Sequence, residues 1–391
     1  MTWRDRGHTL LARPGAGVGL ALLAGLLGAG AAAAVPAGLL RQVAWVVVAA
    51  FTLLAFGAAL RQRLHELWLK RLHPAPGVRV AVPGGRMHVL AEGPVGGPAV
   101  VWLPGGHTGG FAMHHLHRAL RAEARSVLPD RFGTGWSDTG PFPRSTAREA
   151  DELVAALDAA GEAGPWVLVG HSFGGLLAAN VARRYPGRVH VLVLLDATPL
   201  DTLFYGPPLA ALLTMHRQAF WGGIARHFGI DIQARRQAQS RADPAHAKVL
   251  DHVEAVLGPE VLAAQSVEAQ AAAPLFATAS IYRELNRYTA VERLWQTVVY
   301  DRELDALRVW VVAPGDGEAE LSALPEAAGS AAAEQQRVVR VITQTRESWM
   351  GVSRQARRIF APAGTGHNFP VETPAFVVDV VREALRAPRG E

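Results

Sequence analysis

Cysteine is absent from all 391 residues. Disulfides, thiolate metal sites and a cysteine nucleophile are therefore excluded, while the redox compartment stays undetermined. Charged residues are also sparse, at 19%. The net charge of +5 comes largely from arginines spread along the chain, with no basic run interleaved with aromatics. That surplus fits solubility and attraction to a membrane surface, not nucleic-acid binding. No Gly-Lys-Ser/Thr follows a glycine-rich turn, which disfavours a nucleotide loop. His114, His115 and His117 are close in sequence, but their spacing does not put three ligands on one helix face and no carboxylate cluster accompanies them. A solvated or lid-facing helix is expected there, with no metal. What the chain does have is apolar substance: half its residues are hydrophobic, enough to bury one large core or two smaller ones.

Two uncharged runs stand near the N-terminus. Residues 18–40 are almost all Ala, Gly, Leu and Val, long enough at helical rise to cross a bilayer. Arg41 and Gln42 interrupt them, and residues 43–60 form a second such run with Trp45 near one end. A cleaved leader is the alternative for the first run, because Arg4, Arg6 and Arg13 precede it and small residues lie around Ala31 to Ala37. A buried soluble helix is the alternative for the second. Arg61, Arg63, Lys70 and Arg71 follow the second run, whereas the turn between the runs carries only Arg41. The positive-inside bias then predicts a multi-pass hairpin in the cell membrane with the following domain on the cytoplasmic side.

The linker His73-Pro74-Ala75-Pro76-Gly77 closes this anchor, residues 1–72. Beyond it, residues 73–198 alternate strand and helix patterns. Val78 to Val82 and Arg86 to Ala91 predict a hairpin, and Val100 to Leu103, Arg125 to Leu128 and Val189 to Leu195 predict buried strands. Helices are expected over Met113 to Glu123 and Thr146 to Ala160. From 199 to 305 only helical patterns with aromatics appear, which predicts a cap inserted into the domain. Strands return in 306–391 at Arg308 to Ala313 and Arg358 to Ala361, followed by a closing helix from Pro374 to Leu385. Apolar strands alternating with helices predict an α/β fold whose mainly parallel sheet is covered on both faces.

The chain is organised around Gly170-His171-Ser172-Phe173-Gly174. A buried strand precedes it, and a helix follows that ends at Pro186-Gly187. Strand, sharp turn and helix in that order form the setting of a nucleophile elbow, which pushes the serine hydroxyl into the open. The backbone N–H of Phe173 would then face a developing oxyanion. Serine needs a base, and His367 is the best placed, in a glycine-containing loop after the last strand. His171 is the rival, expected to point into the fold. An orienting carboxylate belongs at a strand end between serine and histidine. Asp316 after the penultimate strand is preferred, Asp196 after the strand following the elbow is the alternative, and Glu318 is third. The second oxyanion donor is expected in Gly105-Gly106-His107, at Gly106 N–H.

With Pro104-Gly105-Gly106, the stretch Asp130-Arg131-Phe132-Gly133-Thr134-Gly135-Trp136-Ser137-Asp138, the elbow and Gly366-His367-Asn368, residues 78 to 386 resemble the α/β-hydrolase superfamily. The resemblance is to its bacterial branch with an N-terminal membrane segment. Pro104 stands where many relatives have histidine. The resemblance implies an esterase, lipase or related acyl hydrolase, and such chemistry needs no cofactor. The aromatic helical insertion should cap the site and favour an apolar small-molecule ester, with membrane lipid as its neighbour. Epoxide hydrolases and haloalkane dehalogenases of this superfamily carry aspartate at the elbow, so Ser172 argues against both. Amide or carbon–carbon bond hydrolysis with the same triad, or a catalytically silent membrane-tethered binding module, are the alternatives.

Overall fold

The computed structural model describes residues 3–198, 209–231, 244–285, 304, 307–315 and 348–388. Three helices open the chain: α1 (Trp3–Ala12), α2 (Ala16–Ala33) and α3 (Leu39–Leu72). Both α2 and α3 are long and apolar enough to cross a membrane. They pack antiparallel through small residues, Gly17 against Ala59, Gly25 against Thr52 and Gly28 against Val48. The break between them falls at residues 34–38, not at Arg41-Gln42 as expected. Pro36 and Gly38, at φ 143°, end the helical path, whereas Arg41 and Gln42 sit in the first turn of α3. Nor does α3 stop at residue 60. It continues to Leu72, so its charged last third extends beyond the apolar run.

An eight-stranded sheet follows, in the order β1-β2-β4-β3-β5-β6-β7-β8. Its strands are β1 (Val78–Val82), β2 (Gly85–Glu92), β3 (Ala99–Leu103), β4 (Ser126–Pro129), β5 (Trp166–His171), β6 (Val189–Leu195), β7 (Arg308–Ala313) and β8 (Ala356–Phe360). β1, β2 and β4 pair antiparallel; from β4 through β3 to β8 every pairing is parallel. As the apolar runs imply, β3, β5 and β6 are buried along nearly their whole length, with helices on both faces. On one face α5 (Thr146–Ala159) and α6 (Phe173–Arg184) bury Leu153, Leu157, Leu177 and Val181 against Val101, Leu168 and Leu192. On the other, α4 (His114–Leu120) and a C-terminal helix (Pro374–Arg386) bury Leu116, Leu120, Val377 and Val381 against Val100, Val167 and Val191. Between β6 and β7 lie the cap helices α7 (Leu209–Arg226), α8 (Pro244–Leu257), α9 (Pro259–Ala269) and α10 (Ala273–Leu285). The Ala- and Glu-rich stretch from Glu318 to Glu334 is outside the described residues.

Of the two expectations for α4, solvated or lid-facing, the histidines meet the second and not the first. All three are buried, since α4 packs between the sheet and the C-terminal helix. His114 stacks on Phe111 and faces Glu260 of the cap, His115 Nε2 bonds the carbonyl of Pro370, and His117 Nε2 lies 2.9 Å from Glu92.

Candidate active site

Parallel strands deliver their C-terminal ends to one edge of the sheet, where Ser172, Asp196, His367 and the Gly105-Gly106 turn come together. At the end of β5 the chain turns through Ser172 at φ 52° and ψ −122°, one of two non-glycine residues with positive φ among those described. Such a conformation costs about 1–3 kcal/mol and persists only when its surroundings hold it. Here the Ser172 N–H donates to Leu195 O at 3.1 Å, and Ser172 O accepts from Gly175 and Thr198 at 3.0 and 2.9 Å. Glycines let the backbones close in: a Cβ on Gly174 would lie 2.1 Å from Leu103 O, and one on Gly170 would lie 2.5 Å from Gly174 O. The turn is therefore locked between β3, β6 and the start of α6.

The second such residue is Asp196, at φ 39°, immediately after β6. Its N–H is held by Val312 O of the neighbouring β7, and its carboxylate is buried. Asp196 Oδ2 accepts from His367 Nδ1 at 2.6 Å. The imidazole is 48% exposed, so one edge meets the carboxylate while the other faces the open end of the sheet. Asp316, preferred as the acid because it follows the penultimate strand, lies outside the described residues; the Nδ1 edge of His367 is occupied by Asp196. The reason is topological. β6 lies beside the elbow strand, so a sharp turn at its end puts a carboxylate close to the serine, without need of the next strand out.

His171 is a packed, hydrogen-bonded histidine, but it turns toward the His367 loop instead of away into the fold. Its ring centroid lies 4.7 Å from that of His367, and its Nε2 bonds the His367 carbonyl at 2.9 Å. Burial, with the neighbouring His367 ring, pushes its pKa down to about 4. A neutral donor thus props the His367 loop from beneath.

Opposite the elbow, the turn after β3 brings Gly105 so close that a Cβ there would stand 3.0 Å from Ser172 Cβ. Gly106 follows at φ 53°. Two side chains that the sequence did not single out fix this turn. Thr108 Oγ donates to Gly105 O at 2.9 Å, and Arg131 donates to Gly106 O and, at 3.4 Å, to Thr108 O. The Gly105 carbonyl and Gly106 N–H belong to one planar peptide and point opposite ways, so holding the carbonyl aims the N–H. Arg131 also lies over the Phe173 ring and pairs with Glu149 at 3.3 Å. Glu149 is buried, which alone would raise its pKa; Arg144, His107 and Arg131 outweigh burial and hold it well below the usual carboxylate range. The available signal for these partners was Arg131 within the glycine-rich stretch.

That stretch ties the molecule together. Asp130 is fully buried and accepts from Gly110 N at 2.7 Å, Trp136 N at 3.0 Å and His88 Nδ1 at 2.8 Å. Trp136 Nε1 donates to His73 O, joining the core to the linker that follows α3.

Residues 100–380 match the model of the alpha/beta hydrolase family. The chain belongs to that family. Among curated relatives, it is 39% identical over 116 residues to a lipase, LipV, of Mycobacterium tuberculosis, covering 29% of this chain and 43% of that one. To a cis-3-alkyl-4-alkyloxetan-2-one decarboxylase of Shewanella oneidensis it is 31% identical over 116 residues, 29% of this chain and 36% of the relative. Each match thus spans less than half the relative's length. Among solved structures, a thermophilic esterase from Thermogutta terrifontis aligns over 79% of this chain and 97% of its own, with TM-score 0.53 at 20% identity. A putative epoxide hydrolase from Pseudomonas aeruginosa aligns over the same shares with the same score and identity. At such identity the likeness concerns the fold, which is the α/β-hydrolase fold expected from the sequence.

Proposed function

We propose that this chain is a membrane-anchored serine hydrolase that cleaves carboxylic esters of an apolar substrate through an acyl-enzyme. The observation that carries this reading is the 2.6 Å bond from His367 Nδ1 to buried Asp196, beside a serine held at positive φ on a strand-to-helix turn. With Nδ1–H committed to the carboxylate, Nε2 is left to act as base. Ser172 Oγ attacks the ester carbonyl as His367 Nε2 takes its proton. The tetrahedral oxyanion is held by Phe173 N–H, at the positive end of α6, and by Gly106 N–H. Collapse expels the alcohol, which receives the proton from His367, and water repeats the cycle on the acyl-enzyme. Loss of one oxyanion donor typically costs about a hundred- to a thousandfold in kcat. The lipase and esterase among the relatives favour an ester over other acyl substrates.

Anchoring rests on the apolar hairpin of α2 and α3. Packing of Gly25 on Thr52 and Gly28 on Val48 supports reading α2 as one arm of that hairpin instead of a cleaved leader. The basic residues at the outer ends of both arms favour a cytoplasmic catalytic domain in the cell membrane.

A fluorophosphonate probe tests the chemistry. Labelling of the wild type that disappears in Ser172→Ala is expected; an unlabelled wild type would remove the hydrolase proposal and leave a silent binding module.

A further inference from the structure

The cap does not hang free of the anchor. His227, just past the end of α7, packs against Gly17 in the first turn of α2, and its Nε2 donates to Leu11 O at 2.7 Å. Gly229 lies against Arg61 and Gln62 of α3, and Gln62 Nε2 donates to Gln270 O between α9 and α10 at 3.0 Å. These contacts fall where the apolar hairpin meets its first charges, Arg13 on one arm and Arg61 and Arg63 on the other. Two large apolar side chains of the same cap segment are left uncovered there. Ile230 is 42% exposed one residue beyond Gly229, and Trp221, on the last turns of α7, is 63% exposed. Trp221 precedes His227 by six positions, at most about 9 Å at helical rise, a reach comparable with the roughly 5–8 Å depth of one leaflet's polar zone. Tryptophan favours that zone, and neighbouring arginines attract anionic headgroups.

We propose that the C-terminal end of α7, through Ile230 and Trp221, is a second membrane contact that seats the cap on the lipid–water boundary beside the hairpin. This rests on the membrane-anchored reading above. The occupant of the exposed patch is the bilayer surface, because the patch continues the apolar hairpin and is rimmed by its basic collar.

Because the chain lacks cysteine, I230C, W221C, V47C and Q265C each create a single site for an environment-sensitive nitrobenzoxadiazole label. Val47 lies mid-way along the apolar part of α3, and Gln265 is exposed on α9. The full-length protein is reconstituted into phosphatidylcholine–phosphatidylglycerol vesicles carrying lipids spin-labelled near the headgroup or deep in the chain, and fluorophosphonate labelling of Ser172 verifies the fold of each variant. The V47C label should be quenched by the deep probe. The I230C and W221C labels should be quenched by the shallow probe about threefold more than Q265C. If V47C is quenched while either I230C or W221C matches Q265C, the cap contact is refuted and the anchor stands. If V47C is not quenched, the anchor reading falls and this inference with it.

Discussion

At the scale of single residues, the proposed chemistry rests on two hydrogen bonds that orient groups without touching substrate. Asp196 fixes the His367 ring through Nδ1, so Asp196→Asn should lower kcat by about ten-thousandfold while leaving the fold intact. Asp316→Asn should stay near wild-type activity, and a loss there equal to that of Asp196→Asn would reassign the acid. Thr108 holds the Gly105 carbonyl and thereby aims Gly106 N–H. Thr108→Val should reduce kcat about tenfold with little change in KM, whereas Thr108→Ser, which keeps the donor, should retain activity. A fall in KM-controlled binding with kcat unchanged would show that Thr108 serves the substrate and not the oxyanion. The proposed serine and base, Ser172 and His367, are marked in the sequence by elbow chemistry and loop position. The bond from His367 to Asp196 is not, because both carboxylates fall between serine and histidine in chain order, and only the adjacency of β6 to β5 favours Asp196.

At the scale of elements, close backbone approaches and one buried carboxyl set the limits. α6 crosses the end of β3 so tightly that Gly174→Ala has nowhere to put its methyl, 2.1 Å from Leu103 O. We expect a loss of about 3 kcal/mol or more of stability, read by denaturant unfolding, with activity falling in parallel. The cap is latched by Glu268 of α9, whose two carboxyl oxygens both lie 3.0 Å from Gly109 N. Burial pushes its pKa up to about 8, Asp130 adds to the rise, and Arg131 with the N–H groups of Gly109 and Gly135 opposes it. Between the ordinary value of 4.5 and about 8 the folded protein holds a proton that the unfolded chain has released. Stability from this group is therefore full below 4.5 and declines as pH rises toward 8. Glu268→Gln should flatten that decline when thermal unfolding is followed from about pH 5 to about pH 8; an unchanged slope would assign it to another group. The strands were readable from their apolar runs because parallel strands are buried on both faces. The boundary between α2 and α3 was not, because charge in a sequence marks a membrane edge more clearly than it marks a helix break, and Pro36 with Gly38 supplied the break.

At the scale of the whole molecule, the N-terminal helices, the sheet and the helices between β6 and β7 are joined by contacts far apart in sequence. The linker is tied by Trp136 to His73 O and by Gly77 N to His88 Nε2, so it is not a loose tether. No periodicity could announce these contacts, since each is between an otherwise ordinary residue and a distant backbone. The same holds for α1. His8 lies among the rings of Phe142, His216, Phe220 and Phe276, Arg283 Nη1 is 3.0 Å from His8 Nδ1, and Ala12 joins a small core with Phe142, Ala272 and Phe276. α1 thus completes the packing of α7 and α10 instead of merely preceding the hairpin. Deleting residues 3–12 would bare those aromatics and leave His227 without its Leu11 acceptor, a loss of about 2–5 kcal/mol by the usual cost of an opened core. Limited proteolysis should then cut within α7 or α10 many times faster than in the full chain, while the strands around Ser172 stay protected. Cleavage at the full chain's rate would mean that the cap folds without α1 and that the ring cluster adds nothing to its stability.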